Sequence, residues 1–125
     1  MNVQNLQKDI EELAISWGEA LKVGNHKTAN RQNSAITKIA RKFKKDKNLG
    51  ELVLTPLFKN SNASVRLLAS VHALDLEIHI QEAEDVLIQV ASDSNIHVVQ
   101  LMAKINLQQW NENKHSIVNQ KDEPN

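Results

Sequence analysis

An all-α chain of six helices, stacked as three antiparallel pairs in a short right-handed solenoid, is the fold this sequence predicts. Three observations predict it. Apolar residues recur at i, i+3 and i+4 in six successive segments. Helix breakers are scarce, three Gly and two Pro in 125 residues, while Ala, Leu, Lys, Gln and Glu are plentiful. The chain also matches itself at an offset of about 33 residues. Val53-Leu54 falls on Val86-Leu87 and Ser61-Asn62 on Ser94-Asn95, while Val65, Leu68, Ala69, His72 and Leu74 fall on Val98, Leu101, Met102, Ile105 and Leu107. A period of this size in helical sequence marks stacked hairpins, with the longer first pair as an atypical cap.

Val3, Leu6, Ile10, Leu13, Ala14, Trp17 and Leu21 form one unbroken stripe, which predicts a first helix stopped by Gly24 in the left-handed conformation. Asn25 or Thr28 can start the second helix, over 27–47, with Ala29, Ile36, Ile39, Ala40 and Phe43 inward. Asn30 and Asn33 fall on or beside that stripe. They are expected to be buried amides bonded to a neighbouring turn, with a polar contact site as the alternative. Asn48 to Gly50 reads as a turn before a short third helix, Glu51 to Lys59, bent near Pro56.

Asn60, Ser61, Asn62 and Ser64 supply a turn and N-caps for a fourth helix ending near Glu77. The fifth, Gln81 to Ala91, turns Ala83, Val86, Leu87, Val90 and Ala91 inward, and Asp93, Ser94 and Asn95 repeat the capping chemistry. The sixth, Ile96 to Asn111, is apolar on more than one face, so it is either sandwiched or partly reserved for a partner. The length predicts one domain, residues 1–112, with a polar C-terminal tail over 113–125 that is expected to fray.

Composition narrows the function. The absence of Cys removes disulfides, thiol nucleophiles and zinc–thiolate sites, and fits a reducing cytoplasm. No apolar run approaches about 18 residues, and the N-terminus alternates charged with apolar residues, so neither a membrane span nor a signal peptide is expected. Net charge is zero but unevenly spread. Residues 27–47 carry eight Lys or Arg against one Asp, while 75–93 carry six acids and no Lys or Arg. The basic run (Lys38, Arg41, Lys42, Lys44, Lys45 and Lys47) complements a helix dipole and reads as a solvated face ahead of a nucleic-acid footprint.

The five histidines are scattered, with no HExxH pairing, no phosphate-binding Gly loop, no Gly-x-Ser-x-Gly elbow and no calcium-loop spacing. No catalysis, cofactor or metal is therefore expected. His72 matches Ile105 in the self-alignment and is expected as a partly buried core histidine.

Pro56-Leu57-Phe58, the Asn62 turn, Val65-Arg66, Ala69 and Ala73-Leu74 together resemble the HEAT-repeat pattern, with a proline in the first helix of a pair and a Val-Arg pair opening the second. Gly24 after the first helix, Ala29-Asn30-Arg31 and Trp110 extend the likeness to a small bacterial family of HEAT-like domains, over residues 6 to 110. Two features depart from the pattern: Asn62 stands where the HEAT turn has an acid, and Lys44 to Asn48 is unusually basic. The resemblance implies a HEAT-like, armadillo-type α-solenoid. It further implies a cytoplasmic, monomeric immunity protein that binds and neutralises one cognate bacterial toxin.

A general protein–protein scaffold is the alternative, and a nucleic-acid binder using 27–47 comes third. An acidic face would complement the cationic surface of a toxin that acts on nucleic acid. Asp75, Glu77, Glu82, Glu84 and Asp85 are therefore the candidate partner-binding residues.

Overall fold

Six α-helices and one 3-10 turn, with no strand among the described residues, build the structure in the order the stripes predict. The computed structural model describes residues 2–93, 95 and 97–122, with side chains over 2–92, at 95 and over 97–114. Helix α1 (Val3–Lys22) is capped by Asn2, whose side chain accepts from the Gln4 and Asn5 amides at 2.8 and 3.4 Å. Of the predicted stripe it buries Leu6, Ile10, Ala14 and Trp17, with Val3, Leu13 and Leu21 half-buried beside them. Its end is a Schellman turn: the Gly24 amide donates to the Leu21 carbonyl, and the Asn25 amide to that of Ala20. Gly24 sits at φ 75°, where a Cβ would be strained.

Helix α2 (His26–Lys45) starts on an Asn25 cap and buries Ala29, Ile36, Ala40 and Phe43. Helix α3 (Lys47–Leu54) begins earlier than the sequence suggests. The turn is at Asp46, whose carboxylate caps the Leu49 amide at 3.1 Å, and Asn48 to Gly50 are already helical. Gly50 is there for space: a Cβ on it would lie 2.8 Å from the Phe43 Cβ. From Thr55 to Lys59 the chain tightens into a 3-10 turn with Pro56 in its first positions, as expected of a residue that lacks a donor.

Helix α4 (Ala63–Asp75) is capped by Asn62, which accepts from the Ser64 and Val65 amides at 2.9 and 3.3 Å. Arg66 reaches back from its first turn and donates to the Asn60 and Ser61 carbonyls, closing the entry loop. Helix α4 is buried on nearly every side, from Ser64 to Leu74. It ends in a second Schellman turn, Ile78 amide to Ala73 carbonyl at 2.8 Å, with Glu77 at φ 57° in the place glycine usually takes.

Helix α5 (Ile80–Asp93) buries Ala83, Leu87, Val90 and Ala91, with Val86 half-buried. Helix α6 runs from His97 to Asp122, past the expected stop at Asn111. No Gly or Pro interrupts that stretch, and its Gln, Glu and Lys are good helix formers. The capping role expected of Ser94, and residues 123–125 of the tail, lie outside the described residues.

Helix α6 turns Val99 and Ala103 fully inward, but Leu101 and Ile105 are 55% and 40% exposed. Their counterparts in the self-alignment, Leu68 and His72, are buried and half-buried. Leu68 and His72 have the α1–α2 hairpin before them; among the described residues no further hairpin follows α6.

Two helices hold the assembly together. Helix α4 packs on α1, α3, the 3-10 turn, α5 and α6, while α1 packs on α2, α3, α4 and α6. They meet where Gly18 faces Ser64 and Val99. A Cβ on Gly18 would overlap the Ser64 hydroxyl and lie 2.9 Å from the Ser64 Cβ. Gly18→Ala should therefore lower stability by about 2–3 kcal/mol, outweighing the helix-propensity gain of about 1 kcal/mol. Gly24→Ala, with open space around it, should lose only about 1 kcal/mol through backbone strain. Urea unfolding checks both, and Gly18→Ala with Ser64→Gly should be less destabilised than the sum of the single changes. A neutral Gly18→Ala would show that the two helices are further apart than described.

Candidate functional site

A cleft of 360 Å³ opens where α1, α2, α4 and α6 come together. Its apolar lining comes from Trp17 and Leu21 of α1, Ala29 of α2, Leu67, Leu68 and Val71 of α4 and Met102 of α6. The polar lining is Asn30, Asn33 and Thr37 of α2, His72 of α4 and Asn106 of α6. On α2 the three polar residues lie three and four positions apart, so helical spacing puts them along one edge. Among the described residues no Asp, Glu, Lys or Arg lines the cleft.

Asn30 and Asn33 are exposed rather than buried, and their side chains have no hydrogen-bond partner among the described residues. The buried structural role expected for them is therefore not found. Thr37 donates to the Asn33 carbonyl at 2.9 Å and Asn106 to that of Met102 at 2.8 Å, which leaves the Thr37 oxygen's acceptor capacity and the Asn106 amide oxygen uncommitted. The Trp17 indole N–H likewise has no acceptor among the described residues.

His72 is half-buried, as expected. Burial disfavours its charged form and lowers its pKa from the usual 6.5, against the opposing pull of Asp75. Near neutrality the ring is therefore uncharged, with one donor and one acceptor.

A smaller cleft of 170 Å³ adjoins it along the α4–α6 seam, and Val71 and Asn106 line both. Asp75 and Trp110 line this second cleft.

The five acids do not converge on one site. Glu84 is held inside the fold: it accepts from the Trp110 indole N–H at 2.6 Å and from Lys114 at 3.3 Å, and these two donors, the indole first, hold its pKa below the ordinary carboxylate value. Asp85, exposed, takes a hydrogen bond from Gln81 at 3.0 Å. Glu82 lies on the opposite side of α5 from Glu84, 4.0 Å from His79, which itself pairs with Glu51 at 2.8 Å. Glu77 occupies the left-handed turn, and Asp75 alone lines the seam. The six basic side chains of 38–47 are all exposed, as a solvated face requires.

Trp17, Thr37 and Asn106 were not expected as site residues. Trp17 read as core and is core; only the meeting of four helices makes it a cleft wall as well. The one advance signal was the pair of asparagines interrupting the α2 stripe.

Compared with family models, curated proteins and solved structures, the chain matches none of them. Among the described residues no helix is long and apolar enough to cross a membrane, and no three His, Asp or Glu side chains form a group that would hold a metal ion.

Because the folded pKa of His72 is lowered, the unfolded chain takes up its proton first as pH falls. Stability from this residue is complete above about pH 6.5 and declines below it, until the folded ring protonates too. Wild type should therefore lose stability as pH falls below about 6.5 in urea unfolding, and His72→Gln should be flatter there. The Glu84 contribution is lost in a separate window, below about pH 4.5. A His72→Gln profile that parallels wild type would place the histidine in an environment as wet as solvent.

Proposed function

We propose that this chain is a non-catalytic domain that binds one protein partner, with the α1–α2–α4–α6 cleft as the seat of the contact. The observation that carries the proposal is the chemistry of the lining: an apolar floor beside the Asn30 and Asn33 amides, which have no partner among the described residues, and no charged side chain among those residues. Catalysis by general acid and base needs converging titratable groups, and this cleft contains a single imidazole. Binding needs an anchor pocket and a few polar groups that fix orientation.

Within that class, the HEAT-like resemblance favours a cytoplasmic immunity protein acting on one toxin domain, ahead of a general scaffold. It also favours a solenoid stack of the three hairpins. The Asn62-capped turn, the Arg66 clamp on it and the 3-10 turn at Pro56 support that reading. The α1–α6 contact draws the first and third hairpins closer than nearest-neighbour stacking requires. In this reading the exposed acids Asp75, Glu77, Glu82 and Asp85 steer a cationic partner, and Glu84 braces α6.

The product of the gene upstream of this chain's own is the partner to test, by association kinetics at two salt concentrations. Glu82→Lys with Asp85→Lys should slow association several-fold and weaken its salt dependence, with thermal stability unchanged. Asn33→Lys, which places a charge at the cleft, should instead speed dissociation. Lys42→Glu with Lys45→Glu should change little; loss of binding only in that pair would move the site from the cleft to the basic C-terminal end of α2. A wild-type chain that does not bind the product would remove the immunity reading.

A further inference from the structure

The lining of the cleft also indicates what it takes. Its polar groups are amides, one hydroxyl and one imidazole kept neutral by burial. Each amide side chain has both a donor and an acceptor to offer, and those of Asn30 and Asn33 are unspent among the described residues. A carboxylate or ammonium placed there would give up its hydration for neutral partners only, which is costly. An anion would also meet Asp75 where the cleft meets the α4–α6 seam. The occupant is thus uncharged, carries N–H and C=O groups, and has an apolar part to set against Trp17, Leu68 and Met102. A volume of 360 Å³ is near the small end of ligand sites, which run from about 300 to 1,000 Å³.

A peptide unit carrying an aliphatic side chain meets all of these requirements. We propose that the cleft receives one uncharged aliphatic residue from an extended segment of a protein partner, with Asn30, Asn33 and Asn106 bonding the main-chain amides on either side. The proposal rests on the protein-binding reading above and names the part of the partner that is recognised. The seam continues past Val71 and Asn106, so the segment's next residues lie along α4 and α6 toward Asp75 and Trp110.

The test uses the full chain and a small probe, so that it stands apart from any one partner. N-acetyl-leucinamide, the α-amide of N-acetylglutamic acid, and isopentanol, which has leucine's bulk without an amide, are titrated against the labelled protein while backbone amide shifts are followed. N-acetyl-leucinamide should bind saturably in the millimolar range, shifting residues around 29–37, 67–72 and 102–106. The acid should bind at least about ten-fold more weakly, because its charge is desolvated without a counter-charge. Isopentanol should be weaker too, because it leaves the amides unpaired.

Asn30→Ala with Asn33→Ala, both at exposed positions, should weaken N-acetyl-leucinamide several-fold without changing the melting temperature. Non-saturating shifts, equal binding of the acid, or an unchanged double variant would each overturn the proposal. If N-acetyl-leucinamide binds and the upstream gene's product does not, the choice of partner fails while the site stands. If the product binds as tightly to the double variant as to wild type, the domain binds protein, and does so elsewhere.

Discussion

At Gly18, helix α1 crosses the first turn of α4 with only the small Ser64 side chain between the two backbones, and Val99 of α6 closes the same junction. Much of the remaining structure depends on that approach. The Asn62 cap and the Arg66 clamp fix where α4 begins, and so place Ser64 opposite Gly18. With α1 and α4 this close, Val65, Leu68 and Ala69 are buried from one side while α5 and α6 cover α4 from the other. Interiors pack at crystal-like density, so one methyl group at such a crossing is felt across several helices. The two Schellman turns, at Gly24 and Glu77, then return the chain at the angles that bring α2 and α5 back onto the hub.

Helix identity was legible in the sequence because it rests on the period of apolar residues, a property of each segment by itself. The α1 stripe, the Asn62 cap, the tightening at Pro56 and the left-handed Gly24 follow from local rules of that kind. The start of α3 was not legible. Asn48-Leu49-Gly50 has the composition of a turn, yet Gly50 is small because Phe43 lies against it, and a contact between different helices leaves no mark in the local pattern. Gly18 was obscure for the same reason. A glycine that frees the backbone and a glycine that makes room read alike in sequence.

The acidic block does not stay together in the fold. Six acids over 75–93 form a block in the sequence, but a helix distributes a block around its circumference. Glu82 and Glu84 end on opposite sides of α5, one near His79 of the preceding turn and the other under Trp110 of α6. A carboxylate that accepts a half-buried indole N–H is serving the fold, and what remains among the described residues is a loose scatter of exposed acids. The asparagines of α2 mark the candidate cleft instead. A polar residue that breaks an apolar stripe must either find a partner inside or face an opening.

That choice accounts for the cleft itself. Helix α2 packs on α1 and α3 and has no comparable packing on α4, although Leu67, Leu68 and Val71 present an apolar surface on that side. Had Asn30, Asn33 and Thr37 all been leucine or isoleucine, long enough to reach Leu68 and Val71 as alanine is not, closing α2 onto α4 would bury apolar area at about 25 cal/mol per Å². With two amides and a hydroxyl there, closure would strand polar groups against Leu68 and Val71 at a cost of roughly 1–3 kcal/mol for each left unpaired. The opening is therefore maintained by the polarity of one edge of α2, while Trp17 and Leu21 of α1 fill the base of the wedge. The residues that keep the two helices apart are also those left with hydrogen bonds to offer.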